Sequence, residues 1–79
     1  MTVDHDAPEP LYLQVADLLR GQIEKGTLSG RVPSAATIAQ QYEVAKGTAE
    51  RALAILRAEG LIRSVMGRGH FVVPPAERR

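Results

Sequence analysis

Apolar side chains recur at intervals of three and four residues between Leu11 and Lys25, which is the spacing of one buried face of an α-helix. That face is formed by five aliphatic residues: Leu11, Val15, Leu18, Leu19 and Ile23. Pro10 fits just before or at the first turn, where its missing N–H costs nothing. Gly26 is a natural stop, and Lys25 complements the helix dipole in the last turn. The pattern predicts a helix from Leu11 to Lys25, followed by a loop that ends at Pro33.

Two further helical patterns follow close together. Ser34 can cap a helix from Ala35 to about Tyr42, whose buried residues are expected to be Ile38, Ala39 and Tyr42. After a short connection, in which Val44 fills the space between two helices, a third helix is predicted from about Lys46 to Glu59. Its buried face has the helical spacing and consists of Ala49, Ala52, Leu53 and Leu56. Gly60 ends it.

Beyond the third helix, the helical spacing gives way to the alternation of a strand. Residues 61–65 are predicted as one strand, residues 66–70 as a turn and residues 71–73 as a second strand. Pro74 and Pro75 then stop the sheet. Two short helices around a tight connection, followed at once by a hairpin, have the layout of a winged helix-turn-helix. We therefore expect a mainly α fold with a small β-hairpin: three helices and a two-stranded wing.

A length of 79 residues suits one domain, because a chain this small hides only about 60% of its unfolded surface and has no room for a second core. We expect that domain to span residues 10–73. Residues 1–9 lack periodicity and contain Pro8, with Pro10 directly after them, so they are predicted to be a flexible N-terminal arm. Residues 74–79 are predicted to be a flexible C-terminal tail.

Composition argues against several classes of protein. The absence of cysteine excludes disulfides and thiolate metal sites. No apolar run is as long as a membrane span, and the acidic, proline-rich start is unlike a signal peptide, so we expect a cytoplasmic protein that does not contact a membrane. The sequence also contains no metal-ligand cluster, no paired carboxylates in a pocket and no activated nucleophile. We therefore expect neither an enzyme nor a cofactor.

Charge is distributed unevenly along the chain. Residues 1–43 carry three basic and six acidic side chains, whereas residues 44–73 carry five basic and two acidic ones, within a net charge of +1. A surface that faces phosphate is therefore expected in the second half. Solvated charges without a function would give the same composition, so the asymmetry alone does not decide between the two interpretations.

In a helix-turn-helix the second helix supports the third, whose N-terminal residues enter the major groove of DNA. Five residues form the predicted reading surface, the last of them toward the phosphate edge: Lys46, Gly47, Thr48, Glu50 and Arg51. Thr48 can hydrogen-bond a base or contact a thymine methyl, and Lys46 can reach guanine or a phosphate. The bare backbone of Gly47 allows a close approach. Without the preceding turn, these would be ordinary surface residues.

The hairpin and the start of the second helix supply further candidates. Ser34 and the free N–H groups beside it can seat a phosphate, although a serine there is more often only a cap. Arg68 can enter a narrow minor groove, because Gly67 and Gly69 allow a tight turn, and His70 can donate to a phosphate. A glycine–arginine–glycine turn is by itself more often a plain hairpin, so the interpretation depends on these signals occurring in the right order.

These segments, with their spacing, carry a resemblance to a known family: Pro10–Val15, Gly26–Leu28, Val32–Ser34, Ile38–Ala39 with Val44, Arg51–Leu53 with Leu56, Glu59–Ile62 and Gly67–Val72. The chain resembles the DNA-binding domain of the GntR family of bacterial transcription regulators over residues 10–73. The resemblance implies a winged helix-turn-helix that binds a roughly palindromic operator in double-stranded DNA as a homodimer, usually as a repressor. Family members commonly continue into a larger C-terminal effector-binding or dimerisation domain, whereas this sequence ends six residues after the wing, which fits either a stand-alone domain or a fragment of a longer regulator. No small-molecule effector is evident from the sequence.

The reading surface departs from the family pattern. The family commonly has arginine at positions 36, 46 and 50, serine or threonine at 45, and threonine at 47, where this chain has Ala36, Lys46, Glu50, Ala45 and Gly47. Loss of the cap at position 45 should cost about 1 kcal/mol. Glu50 repels phosphate but can accept a hydrogen bond from cytosine N4. The resemblance therefore implies an altered sequence preference.

Two classes of function follow from these observations. The basic second half and the wing favour a sequence-specific, double-stranded DNA-binding transcription regulator, predicted to repress by operator occlusion. The four substitutions that remove charge and hydrogen bonding from the reading surface favour a protein-interaction module with weak or lost DNA binding: Ala36, Ala45, Gly47 and Glu50. Of the two, we predict the DNA-binding regulator.

Overall fold

A computed structural model of the chain describes residues 3–78. The elements in chain order are helices α1 (Leu11–Lys25), α2 (Ala35–Tyr42) and α3 (Lys46–Ala58), strands β1 (Ile62–Val65) and β2 (Gly69–Val72), and a short 3-10 helix (Pro75–Glu77). The predicted fold of three helices and a two-stranded antiparallel hairpin is confirmed. The bounds of α1 and α2 are as predicted, and α3 ends one residue earlier than expected.

The core is built around α3, which packs against α1, α2 and β1. Every residue predicted for its buried face is buried: Ala49, Ala52, Leu53 and Leu56. The other elements cover this face with Val15, Ala16, Leu19 and Ile23 of α1, Ile38 and Tyr42 of α2, and Ile62 of β1. Three residues that the pattern predicts as buried are only half-buried at the edge of the core, because each helix contacts α3 over a strip narrower than its apolar face: Leu11, Leu18 and Ala39.

The hairpin is tighter than the sequence suggested. Gly69 and His70, predicted in the turn, pair with Val65 and Ser64 as the first residues of β2. The tip is therefore residues 66–68, and the Arg68 N–H donates to the Val65 carbonyl at 2.9 Å. A turn this short is possible because Gly67 and Gly69 have φ angles of 77° and 95°, which glycine adopts readily.

The loop before α2 pairs with the free edge of β2 through an isolated β-bridge. The Val32 N–H donates to the His70 carbonyl at 2.9 Å, and the Val72 N–H donates to the Gly30 carbonyl at 2.7 Å. Arg31 is thereby bridged to Phe71 across the edge of β2. The segment is a loop as predicted, and the bridge at Arg31 is an addition that the sequence does not reveal, because a single bridge needs too few residues to produce an alternating pattern. The pairing covers an edge of β2 that would otherwise be open.

Residues 3–9 lie against α1. Val3 is only 8% exposed and belongs to the core. The side chain of Gln14 accepts a hydrogen bond from the Asp4 N–H at 2.7 Å, and its amide donates to the carbonyls of Asp4 and Glu9 at 2.9 Å. In the structure, one valine and one glutamine thus provide the contacts of this segment with the helical domain.

The C-terminal residues also contact the domain. The Arg78 side chain donates to the Val73 carbonyl at 2.9 Å, and Glu77 lies 3.6 Å from Arg63 of β1. Residues 1, 2 and 79 of the predicted arm and tail lie outside the described residues. The mobility of both segments stays a prediction.

Polar contacts join the three helices at the surface. Arg20 of α1 donates to both carboxylate oxygens of Glu59, just beyond α3, at 2.8 and 2.6 Å, and it also pairs with Asp17. These hydrogen bonds, chiefly the one to Glu59, raise the pKa of Arg20 above its usual value. The Gln22 amide donates to the Tyr42 hydroxyl at 3.0 Å and so links α1 to α2. The contacts hold α1 at one orientation relative to the other two helices.

The N-terminus of α2 has a side-chain cap, and the N-terminus of α3 does not. At the start of α2, the Ser34 hydroxyl accepts the Thr37 N–H at 3.2 Å, so the predicted cap is confirmed. Ala45 stands at the same position before α3, with the extended backbone of a cap residue (φ −65°, ψ 150°), but it offers no side-chain acceptor. The first N–H groups of α3 therefore lack the partner that those of α2 have.

This difference predicts that Ala45→Ser stabilises the domain. The serine hydroxyl should accept the Thr48 N–H and raise the free energy of unfolding by about 1 kcal/mol, measured by urea unfolding followed by circular dichroism. Ala58→Ser is the matched control, since it makes the same change at the exposed far end of α3 and should cost a few tenths of a kcal/mol. An unchanged or lower unfolding free energy for Ala45→Ser would show that α3 does not need this cap.

Candidate nucleic-acid interface

The start of α3 faces outward because the rest of the helix is held inward. Ala49 and Ala52 are fully buried, which turns Lys46, Gly47 and Glu50 toward solvent, with Thr48 half-buried beside them. A Cβ placed on Gly47 would meet no atom within 4 Å. The space over Gly47 is therefore open to a partner outside the domain.

Arg51 has a partner within the domain. Its guanidinium lies over the ring of Tyr12 in α1, 4.1 Å from the centroid, within the distance of a cation–π interaction. The sequence predicts Arg51 at the phosphate edge and gives no signal for this contact with Tyr12. In the structure, Tyr12 restrains Arg51, and the phosphate contact of Arg51 stays a prediction.

An open groove separates α3 from the wing. Its volume is about 430 Å³, and it is lined by Arg31, Val32, Ser34, Ala35, Glu50, Leu53, Arg57, Gly69 and His70. Four predicted site residues from three separate segments therefore meet here: Ser34 at the start of α2, Glu50 on α3, and Gly69 and His70 on β2. The groove also receives two residues that the sequence analysis did not single out, Arg31 and Arg57.

Arg57 and His70 meet at one wall of this groove. The Arg57 Nη1 atom lies 3.4 Å from the His70 Nε2 atom. The Arg31 guanidinium lies over Gly69, since Nε and Nη2 are 4.0 Å from the position of a Cβ there. Helical spacing could have indicated Arg57, which follows Glu50 by two turns on the same face. Arg31 gave no such signal, because its position depends on the bridge to β2.

The wing tip is exposed. Met66, two residues before the predicted minor-groove residue Arg68, is 99% exposed, and Arg68 is exposed as well. Among residues 3–78 the ion pairs involve Arg20 and Arg63, and none uses an arginine of the groove or the wing tip. The positive charges of this surface are therefore not neutralised by ion pairs within that part of the chain.

Comparison with known families identifies this arrangement. Residues 11–72 match the family described as bacterial regulatory proteins, gntR family. The chain belongs to the GntR family. The resemblance seen in the sequence is thereby confirmed.

Curated GntR-type relatives match nearly the whole chain. The HTH-type transcriptional repressor NagR of Bacillus subtilis (strain 168) is 35% identical over 77 residues, which are 95% of this chain and 32% of NagR. The histidine utilization repressor of Pseudomonas putida is 35% identical over 75 residues, 92% of this chain and 30% of that protein. The chain thus spans about a third of the length of these relatives. They are transcription regulators and not enzymes.

Solved structures of the family share the fold. The DNA-binding domain of AraR in complex with operator ORX1 has a TM-score of 0.82 and 29% identity, covering 92% of this chain and 95% of that one. A GntR family transcriptional regulator from Listeria monocytogenes has a TM-score of 0.80 and 30% identity, covering 86% and 61%. The GntR winged-helix fold of this chain is therefore shown by sequence and by structure.

The described residues meet neither the requirements of a metal site nor those of a membrane-spanning helix. Within residues 3–78, no three His, Cys, Asp or Glu side chains are grouped so that they could hold a metal ion. None of the helices described has the length and apolar character needed to cross a membrane.

The positions of Arg68 and Thr48 predict different effects on DNA binding. Arg68→Ala should weaken binding to every duplex about equally and lower the slope of log K against log salt by about one unit. Thr48→Ala should instead change the preference among sequences, since Thr48 lies at the reading end of α3. Fluorescence anisotropy over a salt series measures both variants. If Arg68→Ala leaves affinity and slope unchanged, the wing tip does not contact DNA.

Proposed function

We propose that this chain is the DNA-binding part of a bacterial transcription regulator that recognises an operator in double-stranded DNA. The observation that carries the proposal is the pair of exposed segments, the start of α3 and the wing tip, on either side of one arginine-lined groove. A helix fits the major groove of DNA, and a narrow wing with an arginine fits the adjacent minor groove. In this proposal both segments bind the same face of one duplex.

The reading end of α3 accounts for sequence preference in this proposal. Lys46 can donate to guanine or a phosphate, Thr48 can contact a base edge or a thymine methyl, and Glu50 can accept from cytosine N4. Ser34 and the N–H groups at the start of α2 position the domain on a phosphate. The names of the relatives, a NagR repressor and a histidine utilization repressor, support repression. Occlusion of a promoter would need no catalysis and no cofactor.

We further propose that the regulator binds DNA as a homodimer in the cytoplasm. One winged helix covers only a half-site, and two copies related by a two-fold axis match a roughly palindromic operator. The AraR domain in complex with operator supports the use of this fold on duplex DNA. No small-molecule effector enters the proposal.

Selection from a pool of random duplexes tests this function. We expect an inverted repeat to be enriched, and anisotropy with that duplex should show tighter binding than with a scrambled one and a steep salt dependence. Lys46→Glu should abolish the enrichment, since it reverses an exposed charge at the reading end of α3, whereas Lys25→Glu, at the far end of α1, should preserve it. Weak binding with no enriched motif would contradict the proposal and favour the protein-interaction module.

A further inference from the structure

The groove between α3 and the wing faces a defined part of a bound duplex. The major and minor grooves of DNA are separated by one sugar–phosphate strand. If the start of α3 occupies the major groove and the wing tip the adjacent minor groove, that strand must pass across the space between them. In this chain that space is the groove lined by Arg31, Arg57 and His70.

The arginines of the groove are available to an anion. Neither Arg31 nor Arg57 forms an ion pair with a carboxylate in residues 3–78. Glu50 lines the same groove but sits nearly two turns before Arg57 along α3, toward the reading end. The groove therefore has a basic end between Arg57 and β2 and an acidic residue at the other end. A phosphate is therefore attracted to the end at Arg57 and repelled from the end at Glu50.

The Arg57 side chain and the backbone of Arg31 have contacts within the domain before DNA arrives. Arg57 contacts the His70 ring, and the backbone of Arg31 is fixed by the hydrogen bonds of Gly30 and Val32 to β2. Less side-chain freedom is lost on binding when a side chain already has a partner, as Arg57 does, and a guanidinium forms strong, charge-assisted hydrogen bonds with phosphate.

We propose that Arg31 and Arg57 bind the phosphates of the DNA strand that passes between α3 and the wing, with His70 positioning Arg57. The inference rests on the proposed DNA-binding function. It assigns a phosphate-binding role to two residues outside the reading end of α3 and the wing tip. Because the two arginines contact only the backbone, they contribute affinity and salt dependence but no sequence preference.

The test uses the duplex selected with the unaltered chain and measures binding over a salt series. Arg31→Ala and Arg57→Ala should each lower the slope of log K against log salt by about one unit, which corresponds to about tenfold weaker binding near 0.1 M salt. The double variant should lose about two units, and the ranking of duplex sequences should not change. Arg31→Lys with Arg57→Lys keeps both charges and should recover most of the slope.

Arg63→Ala is the matched control. Arg63 pairs with Phe71, one register position from the Ser64 and His70 pair, so its side chain lies on the opposite face of the hairpin from His70. The Arg63→Ala substitution removes the same charge, but from a residue already paired with Glu77. It should therefore leave the slope of log K against log salt unchanged. Thermal unfolding by circular dichroism shows whether each variant is folded.

The outcomes separate this inference from the function on which it rests. Folded variants that retain the slope and affinity of the unaltered chain, which itself binds its operator steeply, would overturn the role of Arg31 and Arg57 and leave the proposed function standing. An equal loss of slope in Arg63→Ala would also overturn it, since the effect would then reflect net charge. If the unaltered chain binds no duplex, both proposals fail.

Discussion

The structure depends on the burial of one face of α3. Ala49 and Ala52 have small side chains, which lets α1 and α2 approach α3 closely. Leu53 and Leu56 fill the remaining space. Because one face of α3 is packed against the core, the direction of its opposite face is determined as well. The outward direction of Lys46, Gly47 and Glu50 is therefore set by packing. The Arg20–Glu59 pair adds a bidentate contact between α1 and the end of α3.

The same packing determines where the wing lies. Ile62 of β1 is buried against the end of α3, and only three residues separate the two elements. The hairpin is held from its other edge by the bridge between Arg31 and Phe71. The groove that results has α3 as one wall and β2 as the other. Its residues come from distant parts of the chain, but its shape is fixed by the core.

Much of this fold could be predicted from the sequence, because helices and their caps depend on residues close together in the chain. The bounds of α1 and α2 and the cap at Ser34 follow from periodicity, from Gly26 and from the residues around Pro33. The position of Val3 in the core could not be predicted, since no local pattern reveals it or the hydrogen bonds that join the neighbouring Asp4 to Gln14. The same holds for the bridge at Arg31, the contact of Arg57 with His70 and the stacking of Arg51 on Tyr12. The sequence therefore predicts which segments form the site, and three-dimensional packing decides which side chains meet there.

The central claim is that α3, the groove and the wing form one surface for DNA. Titration of the ¹⁵N-labelled chain with its selected duplex, followed by amide chemical shifts, tests this most directly. The account predicts that the changes concentrate in residues 31–34, 46–50, 57 and 66–70, and that the exposed face of α1 around Asp17 and Glu24 is unaffected. Changes centred on α1, or spread evenly over the domain, would contradict it.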